Sequence, residues 1–144
     1  MSAVLASRDA IVMEIVKSAL ATIGEEMGAA ILRGGYSSIV KEGGDACSGI
    51  FDGRGRLVAQ GERASLLHLC SLRPSIAEVM KDFPPEQMKE GDVFLTNDPS
   101  RGGIHSNDIM VIRPVFLPSG QGQDGTRGKP VFFTGTLIHV ADIG

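Results

Sequence analysis

Residues Ile109–Val140 read IMVIRPVFLPSGQGQDGTRGKPVFFTGTLIHV. Two runs rich in β-branched and aromatic side chains, 109–117 and 131–140, bracket a segment, 118–130, that holds four Gly and two Pro and no aliphatic residue. This is the pattern of two strands joined by an exposed loop, and the short return makes them partners in an antiparallel hairpin. Pro114 has no N–H to give to a ladder, so the first strand is expected at an edge or with a bulge there. Pairing of this kind brings His139, at the end of the second run, back toward residues 105–108.

Working outward, Asp92–Thr96 (DVFLT) reads as a further short buried strand. Ile50-Phe51 and Leu57-Val58-Ala59 flank DGRGR, a hairpin whose turn takes the two Gly. Residues 9–33 carry Ile11, Ile15, Ala19, Ile23, Met27 and Ile31 on one helical stripe, with Val12, Val16 and Leu20 beside it. Ser7 or Asp9 is placed to cap this helix, and Gly34-Gly35 to stop it. A shorter helix is expected after Pro74, through Ile76, Val79 and Met80, ending at Phe83-Pro84-Pro85. Helix, hairpin, helix, then strands predicts an α+β fold: a long N-terminal helix packed on a mainly antiparallel sheet, with residues 1–144 forming one unit. The apolar strand that runs almost to Gly144 suggests a unit incomplete without further chain.

Bulk properties narrow the function. The chain has 144 residues, 42% of them apolar, and a net charge of −3, so it can bury a core and presents no basic field for nucleic acid. The N-terminus lacks a basic segment ahead of its apolar residues, and no run is long enough to span a bilayer, which points to a cytoplasmic protein without a membrane partner. Cys47 and Cys70 are too few and too far apart for a disulfide framework and fit a reducing compartment as buried thiols. Neither a GxSxG elbow, a GxxxxGK[ST] phosphate loop nor an HExxH pair is present. If ATP is used, another chain must bind it.

The polar residues concentrate in NDPSRGGIHSNDI, Asn97–Ile109. His105 and Asp108, three apart behind a Gly pair, offer an imidazole and a carboxylate of the kind that suits Zn²⁺, Mn²⁺ or Fe²⁺. His139 can join them through the hairpin, and Glu42, in a Gly-rich loop after the long helix, is a candidate fourth group. Spacing alone leaves a plainer reading open. Asn-Asp-Pro opens ordinary turns, Gly-Gly fills them, and a His in an apolar strand, as at His139 or His68, is commonly a core residue.

Five blocks in order, EEMGAAILRGGYSSIVKEGGD, IFDGRGRLVAQGE, LLHLCSL, KEGDVFLTNDPSRGGIHSNDIMVIRPVF and LIHVADIG, resemble the hydantoinase B/oxoprolinase family. The most diagnostic is GDVFxxNDPxxGGxHxxD. The resemblance covers the N-terminal part of subunits several hundred residues long. It implies a divalent transition metal (Zn, Mn or Fe) held by Glu42, His105, Asp108 and His139. Asp142, His68 and Asn97 are then expected in catalytic or substrate-contacting roles, and Asp45 among them as an orienting group. Two departures stand out: Val140 replaces the second His of the family's His-His block, and Ala46 replaces a bulky residue after Asp45.

The activity the resemblance implies is metal-dependent hydrolysis of a small-molecule cyclic amide or imide, of the hydantoin or 5-oxoproline type. ATP is expected on a hydantoinase A-type partner subunit, which makes the assembly a hetero-oligomer. Two alternatives fit the same blocks, a fragment of a carboxylase large subunit acting on a ketone and a truncated chain without catalysis.

Overall fold

The computed structural model describes residues 2–61, 65–118 and 128–142, with side chains from residue 8 onward. Most of the Gly-rich segment 118–130 therefore lies outside the described residues, as do Ile143 and Gly144. The elements in order are α1 (Ser2–Gly34), α2 (Ser38–Lys41), β1 (Ala46–Asp52), β2 (Leu57–Gln60), α3 (Leu66–Asp82), β3 (Phe94–Thr96), a 3-10 turn (Pro99–Arg101), β4 (Asp108–Val115) and β5 (Phe132–His139). The strands form one five-stranded sheet in the order β2-β1-β5-β4-β3, antiparallel throughout. The α+β expectation holds.

Strand periodicity explains the core. One face of the sheet carries Cys47 and Phe51 from β1, Phe133 and Leu137 from β5, and Met110 and Ile112 from β4. Against it α3 sets Leu69, Leu72, Ile76 and Val79, spaced three and four apart. Gly49 and Gly135 face each other across β1 and β5. A Cβ at Gly135 would stand 3.3 Å from both Leu72 and Phe51, so the glycine pair makes room for these two large side chains.

Three expectations are corrected. The second helix begins at Leu66, well before Pro74, which lies inside it. Pro74 cannot bond the carbonyl of Cys70, but Cys70 lies on the exposed side of the helix, and the buried stripe on both sides of Pro74 holds the helix together. The first helix begins at Ser2, which puts Asp9 inside it rather than at its cap. Its expected apolar stripe is also only partly used. Ile11, Val12, Ile15 and Val16 are exposed, and close contact with the sheet starts at Gly24, where an added Cβ would meet the Gln60 backbone at 2.8 Å. The Ser48 hydroxyl donates to the Gly24 carbonyl at 3.2 Å, fixing the helix to β1.

Pro114 behaves as expected for a local edge. It pairs with Phe133 on β5, but β3 reaches only as far as Ile112 on the other side of β4. Val131 N–H donates to Val115 O at 2.8 Å, so by alternation the Pro114 nitrogen faces the unpaired side.

The two thiols differ sharply, and the expectation that both are buried fails for Cys70. Burial pushes the Cys47 thiol up to about 12, with the Asp108 and Asp45 charges adding to the rise and a Leu137 backbone contact opposing it, whereas Cys70 is exposed. A disulfide-exchange reagent is expected to titrate one thiol in the native chain and two in denaturant. Prompt reaction of both in the native chain would contradict this packing.

Candidate metal centre

The hairpin and its neighbour bring three strand ends together. Asp108 opens β4 and pairs directly with His139, which ends β5. Asp45 immediately precedes β1, and its carbonyl accepts from His139 N–H at 3.1 Å. His68 comes in from the first turn of α3, and His105 from the turn ahead of β4. These five side chains meet at one end of the sheet, beside a cleft of about 540 Å³ lined by Asp45, Ser65, His68, His105, Asn107, His139 and Asp142, among others.

Asp108 is the centre of the group. Its side chain is fully buried, with His139 Nδ1 at 2.8 Å from Oδ1, His105 Nδ1 at 3.4 Å from Oδ2 and His68 Nδ1 at 3.8 Å from Oδ1. The His105 backbone N–H also donates to Oδ2 at 2.9 Å. Burial by itself would raise the Asp108 carboxyl. The His139 hydrogen bond, the His105 N–H and the nearby His68 and His105 rings outweigh it and hold the group below its ordinary value. A carboxylate kept ionised in a buried pocket among imidazoles suits cation binding.

The donor set fits a divalent ion. His105, Asp108 and His139 each offer one ligand atom, all within 4.8 Å of one another, and Asp45, His68 and His139 do the same. The two groups share His139. His105 is half exposed, at 52% for its side chain, so the first group opens to the cleft while Asp108 closes it from behind. Imidazole and carboxylate in this proportion match Zn²⁺, Mn²⁺ or Fe²⁺.

The remaining polar residues of NDPSRGGIHSNDI build the turn. The Asp98 carboxylate accepts from Ser100 N–H at 2.8 Å and caps the 3-10 turn. Asn97 Nδ2 donates to Ser106 O at 2.9 Å. Asn97 is exposed and absent from the cleft lining, so it braces the turn rather than facing the cleft. Asp142 does line the cleft, held by Asn107 Nδ2 at 2.9 Å. Glu42 lies outside both ligand groups. It is exposed and ends α2, its N–H bonded back to Ser38 O at 2.9 Å, and the Gly43-Gly44 turn that follows, with Gly44 at φ +65°, presents Asp45 to the cluster instead. Asn107 is a site residue that sequence reasoning misses, although its place between His105 and Asp108 is a signal that could have found it.

The hydantoinase B/oxoprolinase family model matches residues 9–144. The chain belongs to the hydantoinase B/oxoprolinase family. This family member is 33% identical to 5-oxoprolinase 1 of Arabidopsis thaliana over 94% of its own length and 10% of the relative's. It is 31% identical to the caprolactamase subunit beta of Pseudomonas jessenii, covering 94% of itself and 22% of that subunit. The chain thus spans between a tenth and about a fifth of the length of these relatives. Its fold matches the crystal structure of ATP-dependent caprolactamase from Pseudomonas jessenii with a TM-score of 0.70 at 26% identity, over 92% of this chain and 21% of that one. It also matches nucleotide-free acetone carboxylase with a TM-score of 0.72 at 22% identity, over 97% and 17%. Among the described residues no helix is long and apolar enough to cross a membrane.

Proposed function

We propose that this chain contributes the metal-binding part of an enzyme that hydrolyses a cyclic amide or imide, with ATP handled by a hydantoinase A-type partner in a cytoplasmic hetero-oligomer. The observation that carries the reading is the buried Asp108 carboxylate ringed by His105, His139 and His68. Family membership supports the substrate class, since relatives bear the names 5-oxoprolinase, caprolactamase and hydantoinase subunit.

His105, Asp108 and His139 would hold the ion, with Asp45 and His68 on its far side. A divalent ion there supplies Lewis acidity toward a carbonyl or phosphoryl oxygen and lowers the pKa of water. The chain's own residues supply the rest. Asp108 neutralises positive charge from a position closed to solvent, so the charge stays local. His105, on a turn pinned at both ends, presents its imidazole to the cleft. The Asn107 amide holds the Asp142 carboxylate at the rim, where an acceptor can receive a ring N–H and orient the scissile bond toward the cluster.

Elemental analysis is expected to find about one transition-metal ion per chain after purification without chelator, and almost none in His105→Ala. With its ATP-binding partner, the full assembly is expected to release the ring-opened acid from a hydantoin or 5-oxoproline only with ATP. Incorporation of labelled bicarbonate into a ketone, without ring opening, would overturn the hydrolase reading.

A further inference from the structure

The outer half of α1 projects past the sheet. Contact with the sheet begins at Gly24 and Gly28, where an added Cβ would meet the Gln60 backbone and the Ser48 hydroxyl, whereas Val12, Ile15, Val16 and Ile23 are between 44% and 63% exposed. A contiguous apolar patch of this kind marks an interaction surface. Arg8, Val12, Ile15, Ala19, Thr22 and Glu26 recur alternately four and three apart, the spacing of a seam between two helices, with Ile11, Val16 and Ile23 along its flanks. Ile23 and Glu26 stay exposed beside Gly24 and Gly28, so the seam lies on a different face from the one that α1 gives to its own sheet. The Thr22 hydroxyl already donates to the Ser18 carbonyl at 3.0 Å, which leaves its methyl for packing. The Glu14–Lys17 pair, at 3.6 Å, falls on the side of the helix away from the seam.

The two ends of the seam carry opposite charge. Arg8 and Glu26 are both exposed, about 27 Å apart at the rise of an α-helix, and among the described residues neither forms an ion pair within its own chain. We propose that a second copy of this chain docks on this face, with the two α1 helices antiparallel in a two-fold dimer. Antiparallel pairing sets Arg8 against Glu26 of the second copy, Val12 against Thr22 and Ile15 against Ala19, and the two-fold axis repeats each contact. Large side chains meet small ones in every apolar layer, and an ion pair closes each end. A parallel pair would set Arg8 against Arg8 and Glu26 against Glu26, with Ala19 facing Ala19 across a gap. The charges therefore select the antiparallel orientation. No residue of this surface belongs to the candidate metal centre, so the proposal does not depend on the proposed activity.

Sedimentation equilibrium of the full chain across a range of concentrations is expected to give twice the 15.2 kDa chain mass. Ile15→Glu puts a carboxylate into the seam from each copy and is expected to raise the dimer Kd about 100-fold. Ile15 is exposed in the single chain, so circular dichroism of this variant should match the parent. A parent that stays monomeric at every concentration overturns the proposal and gives the face to a different protein; a dimer indifferent to Ile15→Glu overturns it as well. Orientation is read separately. Arg8→Glu is expected to raise the Kd about 10-fold, and Arg8→Glu combined with Glu26→Arg to restore it; failure of the double variant to recover removes the end-to-end ion pairs. With the exposed Cys70 replaced by Ser, a mixture of Val12→Cys and Thr22→Cys chains is expected to oxidise to a cross-linked pair, and Val12→Cys chains alone are not. Efficient cross-linking of Val12→Cys to itself would mean parallel helices and would overturn the antiparallel dimer.

Discussion

Asp108→Asn is expected to destabilise the metal-free chain by about 2–4 kcal/mol and to abolish the proposed metal binding. The substitution keeps shape and volume, so packing is not the cause. In the parent, both carboxylate oxygens accept, Oδ1 from His139 Nδ1 at 2.8 Å and Oδ2 from the His105 N–H at 2.9 Å. A carboxamide still accepts from the His105 N–H but turns a donor toward His139 Nδ1, so that ring must give up its Nδ1 proton and two charge-assisted hydrogen bonds become neutral ones inside a fully buried site. The negative charge at the centre of the cluster disappears at the same time.

A pH signature separates this from a generic core lesion. The Asp108 carboxyl is held below its ordinary value because the His139 and His105 hydrogen bonds and neighbouring imidazoles outweigh the upward push of burial. The unfolded chain therefore binds this proton more readily than the folded one. The stabilisation is fully present above about pH 5, on the alkaline side of the ordinary aspartate value near ~3.9, and is lost as pH falls through the lower folded value. Urea titrations of the chelated parent should show stability falling across that acid window, with a shallower slope in Asp108→Asn. Parallel slopes for the two proteins would mean that the carboxylate is not the linked group.

Much of this centre is legible in the sequence because it follows from a hairpin. The composition of 118–130 marks a loop and the flanking runs mark strands, so antiparallel pairing alone brings His139 back to the turn that carries His105 and Asp108. The five sequence blocks point to the family, and the family match agrees. What the sequence leaves open is which acid of KEGGD faces inward. Glu42 and Asp45 are three apart, and the choice is made by a left-handed Gly44, a feature of backbone conformation rather than residue type. The approach of His68 to Asp45 is equally hidden, because it depends on α3 starting at Leu66. Pro74 masks that start, although Leu69, Leu72, Ile76 and Val79 have helical spacing. The outer half of α1 shows the opposite failure: a periodic apolar stripe is present, and among the described residues nothing buries Ile11 or Ile15.

The second large effect is expected at Gly102, which joins the turn bearing His105 to α3. Gly102 has φ +104°, a region that a side chain enters only with strain. A Cβ there would stand 2.6 Å from the Ser75 nitrogen and 2.8 Å from its hydroxyl. Backbone cannot yield as the tip of a flexible side chain does, so either the turn or the helix must move. Next to it, Arg101 pairs with Asp82 at 2.6 Å and with Glu78 at 3.5 Å, so the turn is tied to α3 on the N-terminal side of the glycine. Gly102→Ala is therefore expected to cost about 3 kcal/mol in urea unfolding, whereas removal of the exposed pair by Arg101→Ala should leave the unfolding midpoint nearly unchanged. The loss should also reach the candidate metal centre. His105 follows Gly102 by three residues, and its N–H and ring both address Asp108, so displacement of the turn should weaken zinc binding even in the fraction that remains folded. A Gly102→Ala chain with parent-like stability and zinc affinity would show that the turn accepts a side chain beside Ser75 without moving, and that it carries His105 without help from α3.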